Sequence, residues 1–263
     1  MLATQIIAAA LLLAACFLVF GALGRLFPCN PGQPVFVSRA IGLDLAYCLL
    51  GVLYAGIGPA LVAILATTPL AGHPALPQLA RAPLAAQLAL LLLATDFAQY
   101  WLHRAFHARA LWPCHAPHHS AEQVNWTTTF RTHPVNYLAA TTSLAVLARL
   151  AGFSDAALLL AGPIFFLSGV VTHANLGWTY GPLRYVIASP VFHRWHHSAD
   201  VASRERNFAP MFPVWDLMFG TFHMPAGRRP EGFGAEGVPG DLVGQLLYPL
   251  RRSGAQRRDT NAF

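Results

Sequence analysis

Long apolar runs, separated by short polar stretches, limit what this chain can fold into more than any other feature. They cover Thr4–Gly24, Ile41–Leu70, Pro83–His103, Pro134–Gly152 and Asp155–Val171. A bilayer core takes roughly 20 apolar residues of helix. Backbone polar groups in lipid must bond within their own segment, so such runs become helices there. The second run is long and carries Gly58-Pro59 as a kink, so it reads as one tilted span or a broken pair. Charged residues make up 11% and mean hydropathy is +0.46, against about 25% charged in soluble domains. The expected fold is all-α and polytopic, with about four to five transmembrane helices. The first run begins MLATQ, without a positive charge, and no clear A-x-A site follows it, so it is expected to stay as an uncleaved span.

Every basic residue other than histidine is arginine. Arginine marks the cytoplasmic side of short loops. With loop 104–133 in the cytoplasm, loop 25–40 and everything after the fifth run are cytoplasmic too. Only Arg81 and Arg149 then fall on the far side, and every histidine except His73 shares one face. The expected location is a bacterial inner membrane with the histidine face in the cytoplasm. Arg228, Arg229, Arg251, Arg252, Arg257 and Arg258 make the last part of the chain basic. Beside a membrane this suits anionic lipid and not nucleic acid. Cys16, Cys29, Cys48 and Cys114 show no paired spacing, which argues against a disulfide framework or a zinc ribbon. Pro/Gly-rich 225–240 reads as a surface loop.

Of 12 histidines, most are clustered. His103 and His107 are four apart. His115, His118 and His119 form H-x-x-H-H, as do His193, His196 and His197, and His173 stands in THANLGW. Positions i, i+3 and i+4 share a helix face, so each cluster can aim several imidazoles at one point. Ser189 and Pro190 supply an N-cap and a first helical residue for the last cluster. Pro117 interrupts the middle one, so His115 is expected to precede that helix. His73 and His223 stand alone and read as ordinary surface or packing residues. Nine clustered imidazoles exceed the capacity of one ion, since zinc takes three or four protein ligands. Two ions with four or five ligands each fit. Imidazole suits Fe, Zn, Cu and Ni alike. No Glu-x-x-His pair and no H-E-x-x-H occurs, so a carboxylate-bridged bundle and a zincin are excluded.

The segments DFAQYWLHRAFH, HAPHHSAEQVNWTTTFRTHP, THANLGW, GPLRYVIASPVFHRWHHSAD and NFAPMFPVWDLMFGTF follow one another between Asp96 and Phe222. In order and spacing they resemble the fatty acid hydroxylase/sterol desaturase superfamily of membrane di-iron enzymes. The likeness is greater to its sterol-desaturase-like and alkylglycerol monooxygenase branches. Gly169 stands where some fatty acid hydroxylases carry a further histidine. The resemblance implies a four-helix membrane core under a cytoplasmic histidine-rich metal-binding helical cap. It implies two non-haem Fe ions, with zinc a possible substitute, held by the nine histidines. It also implies O2 as co-substrate and a lipid substrate of sterol, fatty acyl, ether lipid or carotenoid type, to be hydroxylated or desaturated. Residues 1–82 then form N-terminal spans, 83–223 the catalytic domain and 224–263 a basic cytoplasmic tail.

Asp96 is an acid within an apolar run, which is a functional candidate by default. With Gln99, Tyr100 and His107 it makes a polar stripe, and it is expected to orient His103 or His107. His133 and Asn207 match family positions and are expected to support the metal ligands, His133 with a direct role open. Asp216 matches as well and is expected to fix the fold near the last cluster. The broken aromatic segment Phe208–Phe222 reads as interfacial, closing over the site. No G-x-G-x-x-G or haem-attachment motif occurs, so electrons must come from a cytochrome b5-, ferredoxin- or reductase-type partner. A non-redox membrane metal protein, whether zinc hydrolase, transporter or scaffold, stays open as the alternative.

Overall fold

The computed structural model describes residues 2–34, 41–54, 60, 64 and 76–255. His73, Gly58-Pro59, the end of the run to Leu70, and Arg257 and Arg258 lie outside the described residues. Among those described, every regular element is helical, and the β pairing is one isolated bridge between Ser198 and Phe233.

Three of the apolar runs build a tight framework. They are α3 (Leu84–His107), α5 (Pro134–Ala151) and α6 (Asp155–His173), which follow α1 (Leu2–Leu26) and α2 (Ile41–Tyr54). Leu91, Ala148, Phe153, Ala157 and Ala161 form their shared core. The three alanines let the helix backbones approach closely. Gly152, at φ 93°, stops α5, where its N–H and that of Phe153 both bond the Ala148 carbonyl. A left-handed residue there suits glycine. Ser154 then caps α6 by accepting from Ala157 N–H. Arg149 and Asp155 pair at 2.7 Å across this turn. Gln87 joins α3 to the same end: its amide donates to the Ala80 and Ala82 carbonyls and accepts from Ser154 N–H. The histidines of α3 and α6 therefore emerge together at the opposite end of the framework.

By length and apolarity, Asp155–His173 is the one described helix able to cross a membrane by itself. Leu13–Leu26 and Ile41–Tyr54 are apolar but shorter. The 24 residues of α3 reach roughly 36 Å, yet Gln87, Thr95 and Asp96 dilute its apolar character and are buried against the other helices. Leu159, Leu160, Phe166 and Leu167 of α6 are exposed apolar residues, an outer face suited to lipid.

Two eight-residue helices complete the histidine end. In α4 (Trp112–His119), His115 lies on the helix and does not precede it, a correction to the sequence expectation. Pro117 removes one internal hydrogen bond, but His115 and His118 are both anchored to the surrounding fold, which holds the turn. In α7 (Pro190–His197), Ser189 accepts from Phe192 N–H and Pro190 opens the helix, as expected. Short α8 (Val214–Met218), α9 (Leu242–Leu246) and α10 (Tyr248–Ala255) follow. Residues 224–255 pack back on the histidine end. Ala199 N–H bonds the Gly232 carbonyl, Gln245 bonds Ser120 Oγ, and His133 bonds the Leu246 carbonyl.

Candidate metal centre

The nine clustered histidines meet at one place and divide into two groups. His103, His107, His115, His119 and His196 form one, and His118, His173, His193 and His197 the other. Within each group the donor atoms lie within 4.8 Å of one another. The groups adjoin: the His119 and His197 rings stack at 4.5 Å, and the His115 and His118 rings lie 5.2 Å apart. The division follows helix geometry. Pairs four apart stay together (103/107, 115/119, 193/197), whereas the i+3 members His118 and His196 cross to the other group.

Hydrogen bonds fix the tautomers. Nδ1 of His103 faces the Phe208 carbonyl at 2.7 Å, and that of His173 the Gly169 carbonyl at 2.7 Å. Nδ1 of His118 faces the Arg131 carbonyl at 3.1 Å, and that of His196 the Arg206 carbonyl at 2.8 Å. His115 Nδ1 meets Asn136 Oδ1 at 2.7 Å. A carbonyl oxygen only accepts, so in each ring Nδ1 carries the proton and Nε2 holds a bare lone pair. Those lone pairs face each other. Nε2 of His103 lies 3.0 Å from that of His115, and Nε2 of His118 lies 3.1 Å from that of His173. His196 and His119 approach at 3.1 Å, and His193 and His173 at 3.0 Å. In the His103–His115 and His118–His173 pairs both nitrogens are acceptors, and two acceptors at that distance cannot bond each other. Protonating the rings is no remedy, because burial holds His115, His118, His119, His193, His196 and His197 well below the usual imidazole range.

A cation resolves this arrangement. Metal–nitrogen bonds of about 2.1 Å at near right angles separate neighbouring donors by about 3.0 Å. The residues thus fit a metal ion in each group. Neither group contains a thiolate or carboxylate, so the donor chemistry suits Fe, Zn, Cu or Ni. His107 differs from the other members in partner: its Nδ1 lies 3.4 Å from Glu205, an exposed carboxylate, and its Nε2 is buried with no hydrogen-bond partner among the described residues. Nδ1 of His193 and His197 is likewise buried and unpartnered there.

The supporting residues depart from expectation in two cases. Asp96 bonds neither His103 nor His107. Its carboxylate accepts from Met211 N–H at 2.8 Å, Phe212 N–H at 2.9 Å and Trp215 Nε1 at 2.9 Å. Three donors pointing at one buried carboxylate satisfy it without an imidazole. His133 also lies outside both groups: it caps α5 through Val135 N–H, and its Nε2 donates to the Leu246 carbonyl. Asn207 donates to the Phe192 and His223 carbonyls and accepts from His223 N–H. It has φ 58° and so fixes the turn after α7. Asp216 accepts from Phe208 and Ala209 N–H and from Thr221 Oγ1. Gln99 bonds the Ala140 carbonyl and Ser143, and Tyr100 bonds Thr221. In Phe208–Phe222, Met218 and Leu217 are exposed while Asp216 is buried, an amphipathic segment.

Several participants were not anticipated from sequence. Asn136 and Glu205 carry no spacing signal. Arg194, between two clustered histidines, is buried and donates to the Val124 carbonyl, Asn30 Oδ1 and Gln33 Oε1. Burial lowers it to about 10, which leaves it charged at neutral pH. Asp44, an acid in the second apolar run, did carry the signal of a charge among apolar neighbours. It is buried against Arg131 at 2.6 Å.

The model of the fatty acid hydroxylase family matches residues 88–221. The chain is 33% identical over 174 residues to an ornithine lipid hydroxylase of Rhizobium tropici, covering 65% of this chain and 53% of that protein. It is 31% identical over 134 residues to an alkylglycerol monooxygenase of Danio rerio, covering 51% of this chain and 30% of that protein. A very-long-chain aldehyde decarbonylase of Oryza sativa subsp. japonica is 27% identical over 139 residues, covering 48% of this chain and 21% of that protein. The chain thus spans about half of the first relative and less of the others. No solved structure matches it significantly. A helical frame that delivers nine imidazoles to one end, and a family match over the segment that holds all nine, place the chain in the fatty acid hydroxylase family.

Proposed function

We propose that this chain hydroxylates the hydrocarbon part of a membrane lipid with O2, using two iron ions held by its nine clustered histidines. The observation that carries the metal reading is the set of facing Nε2 atoms, with the lone pairs of His103, His115, His118, His173 and His196 fixed by a protonated Nδ1. Iron in both groups supplies the reductive activation of O2 needed to break an unactivated C–H bond. The balance is one O2, two electrons and two protons per C–H bond, giving an alcohol and water. Electrons come from a cytochrome b5-, ferredoxin- or reductase-type donor. The names of the relatives, a lipid hydroxylase and a monooxygenase, favour oxygen insertion over desaturation.

The protein's part is positioning and exclusion. Backbone carbonyls of Phe208, Arg131, Gly169 and Arg206 hold the imidazoles in one tautomer. Asp96 and Asp216 pin the segment from Phe208 to Trp215 beside His103, which keeps bulk water from that side. We place the catalytic face in the cytoplasm of a bacterial inner membrane, beside the arginine-rich loops, with four to five spans below it. The test is metal analysis and Mössbauer spectroscopy of anaerobically purified protein, followed by lipid mass spectrometry under isotopically labelled dioxygen. Two irons per chain and one labelled oxygen atom in a lipid product are expected. Zinc with no O2 consumption would replace this reading with a hydrolase or scaffold.

A further inference from the structure

The buried acid of α2 has Thr127 and Arg131 as its hydrogen-bond partners, yet those contacts lead to one of the imidazoles. Asp44 is fully buried. Its Oδ1 accepts from Arg131 Nε at 2.7 Å and pairs with the terminal nitrogen of the same guanidinium at 2.6 Å. Its Oδ2 accepts from Thr127 Oγ1 at 2.5 Å. The other terminal nitrogen of Arg131 donates to Ser120 Oγ at 3.2 Å. Ser120 ends the helix that carries His115, His118 and His119. The Arg131 carbonyl is the acceptor for His118 Nδ1. One guanidinium thus fixes both the end of that helix and the oxygen that sets the His118 tautomer.

Burying an ion pair is a poor way to gain stability, because desolvating both charges cancels much of their attraction, and apolar residues of similar volume often serve as well. The pair here does something an apolar contact could not. It holds Arg131, and so its carbonyl, in register with α4 through directional bonds to two elements. We infer that Asp44, acting through Arg131, is a positioning residue for His118 and hence for the metal held by His118, His173, His193 and His197. The inference rests on the metal reading of that group. Asp44 lies outside residues 88–221, and none of its hydrogen bonds among the described residues reaches an imidazole.

The test is Co(II) titration of the full chain in detergent, followed by ligand-field absorbance, for wild type, Asp44→Asn and the double variant Asp44→Leu/Arg131→Leu. The double variant removes both charges and so avoids an unpaired buried one. Wild type should take up two equivalents. Both variants should bind one equivalent as wild type does and the other about 10–100-fold more weakly, the range for groups one step behind a ligand. The Co(II) spectrum of that weaker equivalent should change, with helical circular dichroism intact. Two equivalents bound with wild-type affinity by the folded double variant would overturn the inference. So would loss of both equivalents together with the helical signal, which would make the pair a general support. Wild type that takes up no Co(II) overturns the metal reading itself, and this inference with it.

Discussion

The two histidine groups share α4 and α7 but differ in their third helix, α3 for one and α6 for the other, and in closure. The five-histidine group has an open edge, where His107 meets the exposed carboxylate of Glu205. The four-histidine group is buried throughout, and its members come from α4, α6 and α7. One group has a fifth donor and an exposed carboxylate beside it; the other has neither. An exchangeable or substrate-facing position suits the first, and a fixed one the second.

The largest effects should come from removing donors, and they should differ between groups. His193→Ala leaves three imidazoles in the closed group and should lose one metal equivalent outright. His196→Ala leaves four in the open group and should weaken binding there without abolishing it. Both should cut lipid oxidation by more than about 100-fold, beyond the range for residues that only support ligands. Metal content of the two variants in the same membranes checks this; equal retention would erase the distinction between the groups.

Acid should come next. Burial depresses the folded-state pKa of His115, His118, His119, His193, His196 and His197. The unfolded chain, with imidazoles near about 6.5, therefore takes up protons first as pH falls. Stability is full above that value and is lost progressively below it, by up to about 1.4 kcal/mol per imidazole per pH unit. Metal release follows the same direction, since protons compete for the ligands. Thermal unfolding and bound metal measured between pH 8 and pH 5, roughly the range in which imidazole titrates, should fall together, and a flat profile would mean that the rings are not buried as described.

Asp96→Asn keeps the shape of a side chain that receives three donors. It should destabilise the protein by about 2–3 kcal/mol, the scale of hydrogen bonds to a charged group, with a smaller effect on metal content. Read by thermal unfolding, it separates a clamp on the 211–215 segment from the imidazole support expected from sequence. The smallest effect belongs to Glu205→Gln. It should weaken metal at the open group by less than about 10-fold and leave the closed group unchanged, as two-site metal titration would reveal.

Much of this frame was legible in the sequence. Pro134–Gly152 and Asp155–Val171 match α5 and α6 closely because apolar runs bounded by Pro, Gly and Ser mark helix limits well. The spacing of the histidines announced that they would gather at one place, and Ser189-Pro190 announced the start of α7. The assignment of each imidazole to a group was not legible. Adjacent residues such as His118 and His119 point about 100° apart on a helix, so they part company, and only the packing of α4 against α7 decides where each goes. Asp96 was misread because its donors lie 115 and more residues away, and local spacing cannot register them. His133 was misread because a histidine before a proline can cap a helix as readily as serve a metal.

The peptide unit joining Phe208 to Ala209 has a consequence of its own. Its N–H donates to the Asp216 carboxylate at 2.9 Å, and its C=O accepts from His103 Nδ1 at 2.7 Å. A carboxylate pulling on the amide hydrogen shifts electron density along the conjugated O–C–N system towards the oxygen. That oxygen then draws harder on the imidazole proton, and Nε2 of His103 becomes a stronger σ-donor. Hydrogen bonds linked in this way strengthen one another by roughly 10–30% each. An acid that never approaches the imidazole can therefore tune the reduction potential of whatever ion that ring holds, with a single amide as the conductor.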